Sequence, residues 1–387
     1  MSISIPFVDL KAQYATIRLE IDQAVREVVE SAYFVGGPVL ERFEQEFASF
    51  TGARFAVGVA NGTDAITLAL RAAEIGSGDE VLVPANSFFA SAEAVSNAGA
   101  SPVFVDVDPH TFLMDPGTAA EAVTRRTRAI LPVHLYGRAL DMRPFEEIAA
   151  AHNLIIVEDC AQAHGAAIDG KVIGSSGRLT CYSFYPGKNL GAYGDGGAIT
   201  TSDPEMRRRL LELRDHGSPR KYEHARIGYN SRLDTLQAAV LSVKLRSLAK
   251  WNTARRRHAE IYSAALAGSP IFPPQIPAEG QHVFHLFVVR CARRNELQQF
   301  LASRGVATGI HYPVPLHLTA AYQSQGVPGA GSHPIAEALA GEILSLPLYA
   351  ELSEEQMQHT IDALQEFIRT QRPDMPVNLA CAPARSV

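Results

Sequence analysis

The sequence is poor in cysteine, has no excess of basic charge and contains no long apolar run. Its 4 cysteines, Cys160, Cys181, Cys291 and Cys381, match no zinc or redox spacing, so we expect free thiols and no metal site. Lys and Arg number 35 against 41 Asp and Glu, which argues against nucleic-acid binding. No run approaches the roughly 20 apolar residues of a membrane span, and no signal peptide is recognisable. These absences predict a soluble protein of the reducing cytoplasm, with neither nucleic acid nor membrane as a partner.

Two common phosphate-binding patterns are also missing. A nicotinamide-dependent oxidoreductase needs G-x-G-x-x-G after its first strand, where this chain has NGTDAI at 61–66. A Walker-type loop needs Ser or Thr after Gly-Lys, whereas Lys188 is followed by Asn189. Both of these nucleotide-binding classes are therefore disfavoured.

Between residues 55 and 200, short apolar runs alternate with amphipathic stretches. The runs are FAVGVA (55–60), EVLVPA (80–85), SPVFVDVD (101–108), RAILPVHLYG (128–137), LIIVED (154–159) and LTCYSFYP (179–186). This alternation predicts an α/β fold with a mostly parallel sheet between helices. Ligands of such sheets bind beyond the carboxyl ends of the strands, where this chain has polar residues such as Asn61, Asp106, His134 and Asp159.

The C-terminal part predicts a different order of helices and strands. Residues 234–267 predict one long helix, followed by a strand at 285–290 and a helix near 294–304. Ser353 and Gln356 fit a capping box at the start of the last helix. We therefore expect three parts: a large cofactor-binding domain whose N-terminal segment packs on the small domain, a smaller α+β domain, and a flexible tail. These parts span residues 1–245, 246–370 and 371–387.

The glycine-rich segment SFYPGKNLGAYGDGGAIT, residues 183–200, carries the lysine of greatest interest. Its glycines let the backbone turn sharply close to a ligand. Lys188 follows a strand and has Tyr185, Pro186 and Leu190 as neighbours, which predicts a partly desolvated amine suited to Schiff-base chemistry. Taken alone, however, this segment fits a surface lysine in a turn better.

Two further segments supply a carboxylate and a helix start. Asp159 ends a buried strand, where a protonated pyridine nitrogen would balance its charge; capping of the following turn explains an aspartate there equally well. Gln162 and His164 lie just beyond it, placed to hydrogen-bond a ring hydroxyl or a substrate. A helix opening at NGTD, 61–64, offers a phosphate seat, although plain turn chemistry also accounts for it.

These pieces occur together with an ordered series of longer segments. The series comprises NGTDAITLAL, GDEVLVPANSFFAS, PVFVDVDP, PVHLYGR, VEDCAQAHGA, SFYPGKNLGAYGDGGA, KYEHARIGYNSRLDTLQAAVL and HYPVPLHLTAAY. From about residue 5 to 370 the chain resembles the sugar aminotransferases of the DegT/DnrJ/EryC1/StrS family. The resemblance implies a fold-type I pyridoxal-phosphate enzyme, with a seven-stranded sheet in its large domain.

The resemblance also implies a role for each matching residue. Lys188 would carry pyridoxal 5'-phosphate as a Schiff base and then move the proton, with pyridoxamine phosphate as the intermediate form of the cofactor. Asp159 would pair with the pyridine nitrogen and Gln162 would lie beside the ring hydroxyl. The remaining implied cofactor contacts are Gly62, Thr63 and Ser183 at the phosphate, Phe88 on the ring face, and Asn230 reaching the phosphate from the other subunit of a homodimer with shared active sites.

The implied substrate is a nucleotide-linked keto sugar, aminated at the expense of glutamate. Lys221, Tyr222 and Arg232 match positions near its diphosphate, and His311 and His317 match positions near the hexose. The segments look most like enzymes that convert a TDP-3-keto-6-deoxyhexose into the TDP-3-amino-3,6-dideoxyhexose. A 4-keto-6-deoxyhexose, a UDP-linked 3-keto uronic acid, and a non-catalytic regulatory role remain alternatives.

Overall fold

The computed structural model describes residues 4–278 and 280–370. The predicted flexible tail, 371–387, and Cys381 lie outside the described residues. The strands are β1 Phe55–Val59, β2 Glu80–Pro84, β3 Ser101–Val105, β4 Thr127–Ile130, β5 Ile155–Asp159, β6 Ala167–Ile168, β7 Lys171–Val172, β8 Leu179–Ser183, β9 Gly197–Thr201, β10 Phe287–Arg290 and β11 Ile343–Leu346. The helices are α1 Leu10–Ser31, α2 Pro38–Thr51, α3 Gly62–Ala72, α4 Phe89–Asn97, α5 Pro116–Glu121, α6 Arg143–His152, α7 Pro204–Arg214, α8 Thr235–Leu245, α9 Leu248–Ala265, α10 Arg294–Ser303, α11 Ala320–Gln323, α12 Pro334–Glu342 and α13 Glu354–Thr370.

A seven-stranded sheet forms the centre of the N-terminal part. Its strand order is β1-β9-β8-β5-β4-β2-β3, and only β9 runs against its neighbours. All six predicted strand segments lie in this sheet, so the predicted fold class, an α/β large domain with a mostly parallel sheet, is confirmed. The carboxyl ends of β5 and β8 lie side by side, since these strands pair in parallel from Val157 to Asp159.

Apolar residues on both faces explain why the sheet is covered on both sides. Along β8 and β9, Cys181 and Ile199 belong to one core, together with α3. Tyr182 and Ala198, the next residues along, belong to a second core that includes α2 and α8. Successive side chains of a strand point to opposite faces, so these buried strands need apolar residues at every position.

A separate core organises the C-terminal part. It is built from β10, β11, α10 and α13 and includes Ile5 of the N-terminal segment. The backbone of Ile5 pairs with Gly305 and Ala307 at 2.8 and 3.0 Å. The predicted capping box is present, with Gln356 N–H donating to Ser353 Oγ at 3.1 Å and Ser353 N–H donating to Gln356 Oε1 at 3.0 Å.

The prediction of one long helix over 234–267 is wrong. The chain forms α8 and α9, separated at Arg246 and Ser247. Residues of α8 pack in the second core of the large sheet, whereas Ala259 and Tyr262 of α9 pack in the C-terminal core. We keep the division between residues 245 and 246 as a proposed domain boundary.

None of the helices in the described ranges combines the length and the apolar character needed to cross a membrane.

Candidate active site

Lys188 lies in a tight turn directly after β8. Its backbone N–H donates to the carbonyl of Tyr185 at 2.9 Å. The turn ends at Gly191, whose backbone packs against that of Pro186. A Cβ at Gly191 would lie 2.3 Å from the carbonyl oxygen of Pro186, so only glycine permits this path. Burial lowers the pKa of the Lys188 amine to about 8, although the nearby Asp159 carboxylate opposes this. The amine is therefore neutral in roughly a tenth of the molecules at pH 7, far more than an exposed lysine would be.

Asp159 faces Lys188 from the end of β5. The carboxylate is buried, and both of its oxygens are engaged. Oδ2 accepts a hydrogen bond from Ser91 Oγ at 2.8 Å, and Oδ1 accepts one from the backbone N–H of Ala161 at 3.0 Å. Two donors from different elements thus fix the orientation of the charge, as expected for a carboxylate that must meet a partner at a defined position.

Gln162 is held between two tyrosines. Its Oε1 accepts from the backbone N–H of Tyr136 at 2.6 Å, and its Nε2 donates to the hydroxyl of Tyr312 at 3.1 Å. The ring of Tyr312 lies 5.5 Å from that of Phe88, which immediately precedes α4 and is half exposed. Tyr312 therefore joins Gln162, predicted to lie beside the ring hydroxyl, to Phe88, predicted to lie on the ring face.

The predicted phosphate seat is formed where α3 meets the end of β8. Asn61 caps the helix, since its side chain accepts from the N–H of Asp64 at 2.8 Å. A Cβ at Gly62 would lie 2.6 Å from the Cβ of Ser183, so the helix start and this serine are in direct contact. The leading N–H groups of a helix lack partners within the helix, and together with a hydroxyl they suit an anionic group.

Three histidines surround the Lys188 amine: His164, His285 and His311. Burial is the main cause that lowers the pKa of each, and the positive charge of Lys188 is the second. The pKa falls to about 3 for His164 and about 4 for His311. In residues 4–278 and 280–370, neither ring nitrogen of His164 has a hydrogen-bond partner. All three rings are therefore neutral at physiological pH, and His164 has free capacity for a further polar group.

The other predicted sugar contact, His317, lies elsewhere. Its ring is fully buried, its Nε2 lies 3.1 Å from Glu337 Oε1, and its centroid is 4.3 Å from that of His333. The structure brings it together with the end of β3 rather than with Lys188. The sugar contacts proposed below therefore rest on His311.

The four remaining predicted residues lie in the segment 215–232, most of whose residues are exposed. Tyr222 is 85% exposed, and the Lys221 ammonium lies 5.1 Å from its ring. Arg232 forms an ion pair with Asp215, and the backbone of Asp215 pairs with the backbone of Asn230. Within the described chain, these contacts join members of the segment to one another and leave Tyr222 and Asn230 open to solvent.

Several site residues escaped the sequence analysis. Ser91, Tyr136, Tyr312 and His285 carry no distinguishing local pattern, and only the packing of four different elements brings them to Lys188 and Asp159. Ser91, Tyr136 and Tyr312 do lie inside segments that carry the family resemblance, NSFFAS, PVHLYGR and HYPVPL. His285 stands at the start of a strand-like run and offered no such hint.

The low pKa of Lys188 can be measured directly. In cofactor-free protein, we expect acetic anhydride to label Lys188 with a pH midpoint near 8, because only the neutral amine is nucleophilic. In denatured protein, the midpoint for the same residue should return to about 10.5. Mass spectrometry of the labelled peptide gives both values. Equal midpoints in the two states would contradict the desolvated environment described above.

Comparison with known proteins agrees with this geometry. The family model for the DegT/DnrJ/EryC1/StrS aminotransferase family matches residues 15–365. The chain belongs to this family. The resemblance inferred from the sequence is thereby confirmed.

The similar relatives of this aminotransferase include both enzymes and a regulator. The chain is 48% identical to a dTDP-3-amino-3,4,6-trideoxy-alpha-D-glucose transaminase of Streptomyces venezuelae, over 94% of this chain and 96% of that one. It is 46% identical to a dTDP-3-amino-3,6-dideoxy-alpha-D-galactopyranose transaminase of Aneurinibacillus thermoaerophilus, over 94% and 99%. A protein of Geobacillus stearothermophilus named a pleiotropic regulatory protein is 45% identical, over 95% and 99%.

A solved structure gives the same picture for the fold. The crystal structure of S. venezuelae DesV in complex with a ketimine intermediate is 48% identical, with a TM-score of 0.93, and covers 95% of this chain and 100% of that one. The predicted enzyme class, a pyridoxal-phosphate-dependent sugar aminotransferase, is confirmed by family membership together with these relatives.

The residues present fit the cofactor of this aminotransferase family. A buried carboxylate at Asp159 can meet a ring nitrogen, the contact between Gly62 and Ser183 marks an anion seat, and the amine of Lys188 faces the carboxylate. The unpartnered nitrogens of His164, within the described ranges, supply further polar capacity beside the amine.

Proposed function

We propose that the protein transfers an amino group to a nucleotide-linked keto sugar, with Lys188 as the residue that binds the cofactor covalently. The observation that carries the proposal is the meeting of the Lys188 amine and the Asp159 carboxylate at the ends of two adjacent parallel strands. Membership of the family supports it. The position agrees with the general rule for ligands of open α/β sheets.

Each end of the cofactor has residues suited to it. Asp159 would hold the pyridine nitrogen in its protonated form, because the carboxylate is buried and already oriented by Ser91. Gln162 would lie beside the ring hydroxyl and Phe88 against the ring face. Gly62, Thr63 and Ser183 would hold the phosphate. When bound, pyridoxal phosphate supplies an electron sink for the carbon that loses its proton.

Lys188 has two tasks in this proposal. Its amine would hold the cofactor, and when free it would move a proton at the substrate carbon. Both tasks require the neutral amine for part of the cycle, which the pKa of about 8 allows near neutral pH. The neutral histidines His164, His285 and His311 keep additional positive charge away from it.

The proposed substrate is a TDP-3-keto-6-deoxyhexose, converted into the TDP-3-amino-3,6-dideoxyhexose with glutamate as the amino donor. Two similar relatives are named as transaminases of dTDP-linked 3-amino sugars, which supports the third carbon and the TDP carrier. His311, beside Lys188, is the residue we place near the hexose. A 4-keto-6-deoxyhexose and a UDP-linked 3-keto uronic acid are the alternative substrates.

We further propose a homodimer with shared active sites. The exposed side of the segment 215–232 includes Tyr222 and Ile227, which are 85% and 94% exposed. Such an apolar side chain in open water favours burial against a partner. In a dimer, Asn230 would reach the partner's cofactor phosphate, and the diphosphate of the sugar nucleotide would lie near the side chains of Lys221, Tyr222 and Arg232.

A cytoplasmic location is also part of the proposal. The described cysteines, Cys160, Cys181 and Cys291, are buried and unpaired, and burial raises the pKa of each thiol. Inert thiols of this kind suit a reducing compartment.

The test is an assay of the purified protein with glutamate and each keto sugar in turn. Glutamate alone should bleach the yellow cofactor band, and the TDP-3-keto-6-deoxyhexose should react with a kcat/KM roughly 10²-fold above that of the 4-keto isomer. Mass spectrometry of the product gives the gain of the amino group. Faster reaction of the 4-keto sugar or of the UDP-linked 3-keto uronic acid would overturn the proposed substrate.

A regulatory role without catalysis is the second candidate, because one similar relative is named a pleiotropic regulatory protein. The chain has the three side chains that the proposed reaction needs, namely Lys188, Asp159 and Gln162. Their presence argues against a purely regulatory role. The same assay separates the two candidates, since a regulator would bind the cofactor without converting any sugar.

A further inference from the structure

Helix α8 holds the segment that carries Lys188 through two side chains, Gln237 and Lys244. Gln237 Oε1 accepts from the backbone N–H of Tyr193 at 2.8 Å, and its Nε2 donates to the carbonyl of the same residue at 3.3 Å. Lys244 Nζ donates to the carbonyl of Gly191 at 2.7 Å. The two residues are two helical turns apart and therefore lie on one face of the helix.

Lys244 is a fully buried lysine, which is unusual because an ammonium loses its hydration on burial. Its ammonium donates to the Gly191 carbonyl and lies 4.3 Å from the centroid of the Tyr193 ring, whose face attracts a cation. Glu351 faces it from the C-terminal part. An apolar side chain of similar length would fill the space at lower cost, so the polar contact itself is the feature to explain.

The contact at Gly191 reaches Lys188 through a short and stiff piece of backbone. Gly191 packs against the Pro186 carbonyl so closely that no side chain fits. The next residue, Ala192, donates its N–H to the Phe184 carbonyl at 2.7 Å. A shift of the Gly191 carbonyl therefore moves the whole turn from which the Lys188 side chain extends.

The other side of the turn has its own anchor. Asn189 donates to Asn252 Oδ1 at 2.9 Å and to the Val283 carbonyl at 3.0 Å, and its Oδ1 lies 3.2 Å from His285 Nδ1. These partners belong to α9 and to the C-terminal part. The turn that carries Lys188 is thus held on one side through Asn189 and on the other side by α8. Loss of either set of contacts would allow the Lys188 side chain to change its direction.

We propose that Lys244 and Gln237 are positioning residues for Lys188: by clamping Gly191 and Tyr193 to α8, they fix the direction in which the Lys188 amine points toward the reacting carbon. This inference deepens the proposed function and rests on it, since it assumes that Lys188 is the working amine.

The first test compares Lys244→Met with the wild-type protein. We expect kcat to fall roughly 10²-fold, because a small misplacement of a reacting group costs about that much in rate. KM for the keto sugar should change by less than about threefold, because the Lys244 side chain is fully buried behind Gly191 and would not bind the sugar itself. The pH midpoint for labelling of Lys188 by acetic anhydride, measured on cofactor-free protein, should rise from about 8 toward 10.5, because a released amine is less desolvated. Lys250→Met, at an exposed position on α9, is the matched control and should behave like the wild type.

A purely structural role for Lys244 gives a different result: a lower unfolding temperature, with wild-type kcat and labelling midpoint in the folded protein. That outcome overturns the proposal. If Lys244→Met does not fold, Gln237→Ala is the second variant. It removes the two hydrogen bonds to Tyr193 without changing a buried charge. It should reduce kcat and raise the labelling midpoint of Lys188. Wild-type values in Gln237→Ala would overturn it.

A separate experiment, borohydride reduction, tests the proposed function itself. Borohydride reduction of the wild-type holoenzyme should attach the cofactor permanently to Lys188. If the wild type carries the adduct on another residue, the proposed function fails. If the adduct forms on Lys188 while kcat and midpoint are unchanged in the variants, only the positioning role fails.

Discussion

Replacing Lys188 with alanine is expected to abolish turnover, with kcat reduced by roughly 10⁴-fold or more. The amine is the group that holds the cofactor covalently and moves the proton in the proposed reaction. The visible absorbance of the covalently held cofactor should disappear as well. Steady-state assays and an absorbance spectrum of the purified variant check both expectations.

The matched control is Lys250→Ala. Lys250 lies exposed on α9, so the same chemical change there should leave kcat and the absorbance band unaltered. A Lys188→Ala protein that retains activity would refute the assignment of this lysine. A folded variant that keeps the coloured band would refute it too, because the band depends on the covalent link.

Asp159→Asn is the prediction with the next largest effect. Asparagine keeps the shape of the side chain and can still accept from Ser91, but it removes the negative charge that would keep the ring nitrogen protonated. Breaking a buried charge pair costs about 3–5 kcal/mol, which corresponds to roughly 10²–10⁴-fold in rate. We expect kcat to fall within that range while the cofactor stays bound, as measured by steady-state kinetics and by the rate at which glutamate bleaches the band.

Asp169→Asn provides the comparison for this change. Asp169 is exposed and has φ of 51°, a conformation that asparagine tolerates, so its replacement should not affect the rate. Wild-type kcat in Asp159→Asn would show that the carboxylate does not act on the cofactor ring. Capping of the following turn through Ala161 would then be its main role.

The sequence pattern predicted the large sheet well and the connection to the C-terminal part poorly. Strands such as β5 are short apolar runs ended by turn residues, a pattern that local sequence reveals. The break between α8 and α9 has no glycine or proline to announce it, and helical spacing continues across Arg246 and Ser247. The break is seen only in the folded chain, since nothing in the local sequence announces it.

The candidate site divides in a similar way. Lys188, Asp159 and Gly62 stand at strand or helix ends where sheet topology collects ligands, and their segments resemble those of a known family. His317 also lies in such a segment, HYPVPLHL, yet its ring pairs with Glu337. Resemblance along the chain identifies a segment, but the direction of each side chain within it depends on what packs around it.

The chain of residues alone thus determined the family and the cofactor and predicted the lysine that would carry it, because these depend on residue types placed at the ends of regular elements. Only the tertiary structure decided how Lys188 is held: the clamp by Gln237 and Lys244, the anchor at Asn189 and the neutral histidine His285 come from elements far apart in sequence. The physical reason is that burial and hydrogen bonding are set by contacts across the fold, and a buried ammonium such as that of Lys244 looks in sequence like any other lysine on a helix.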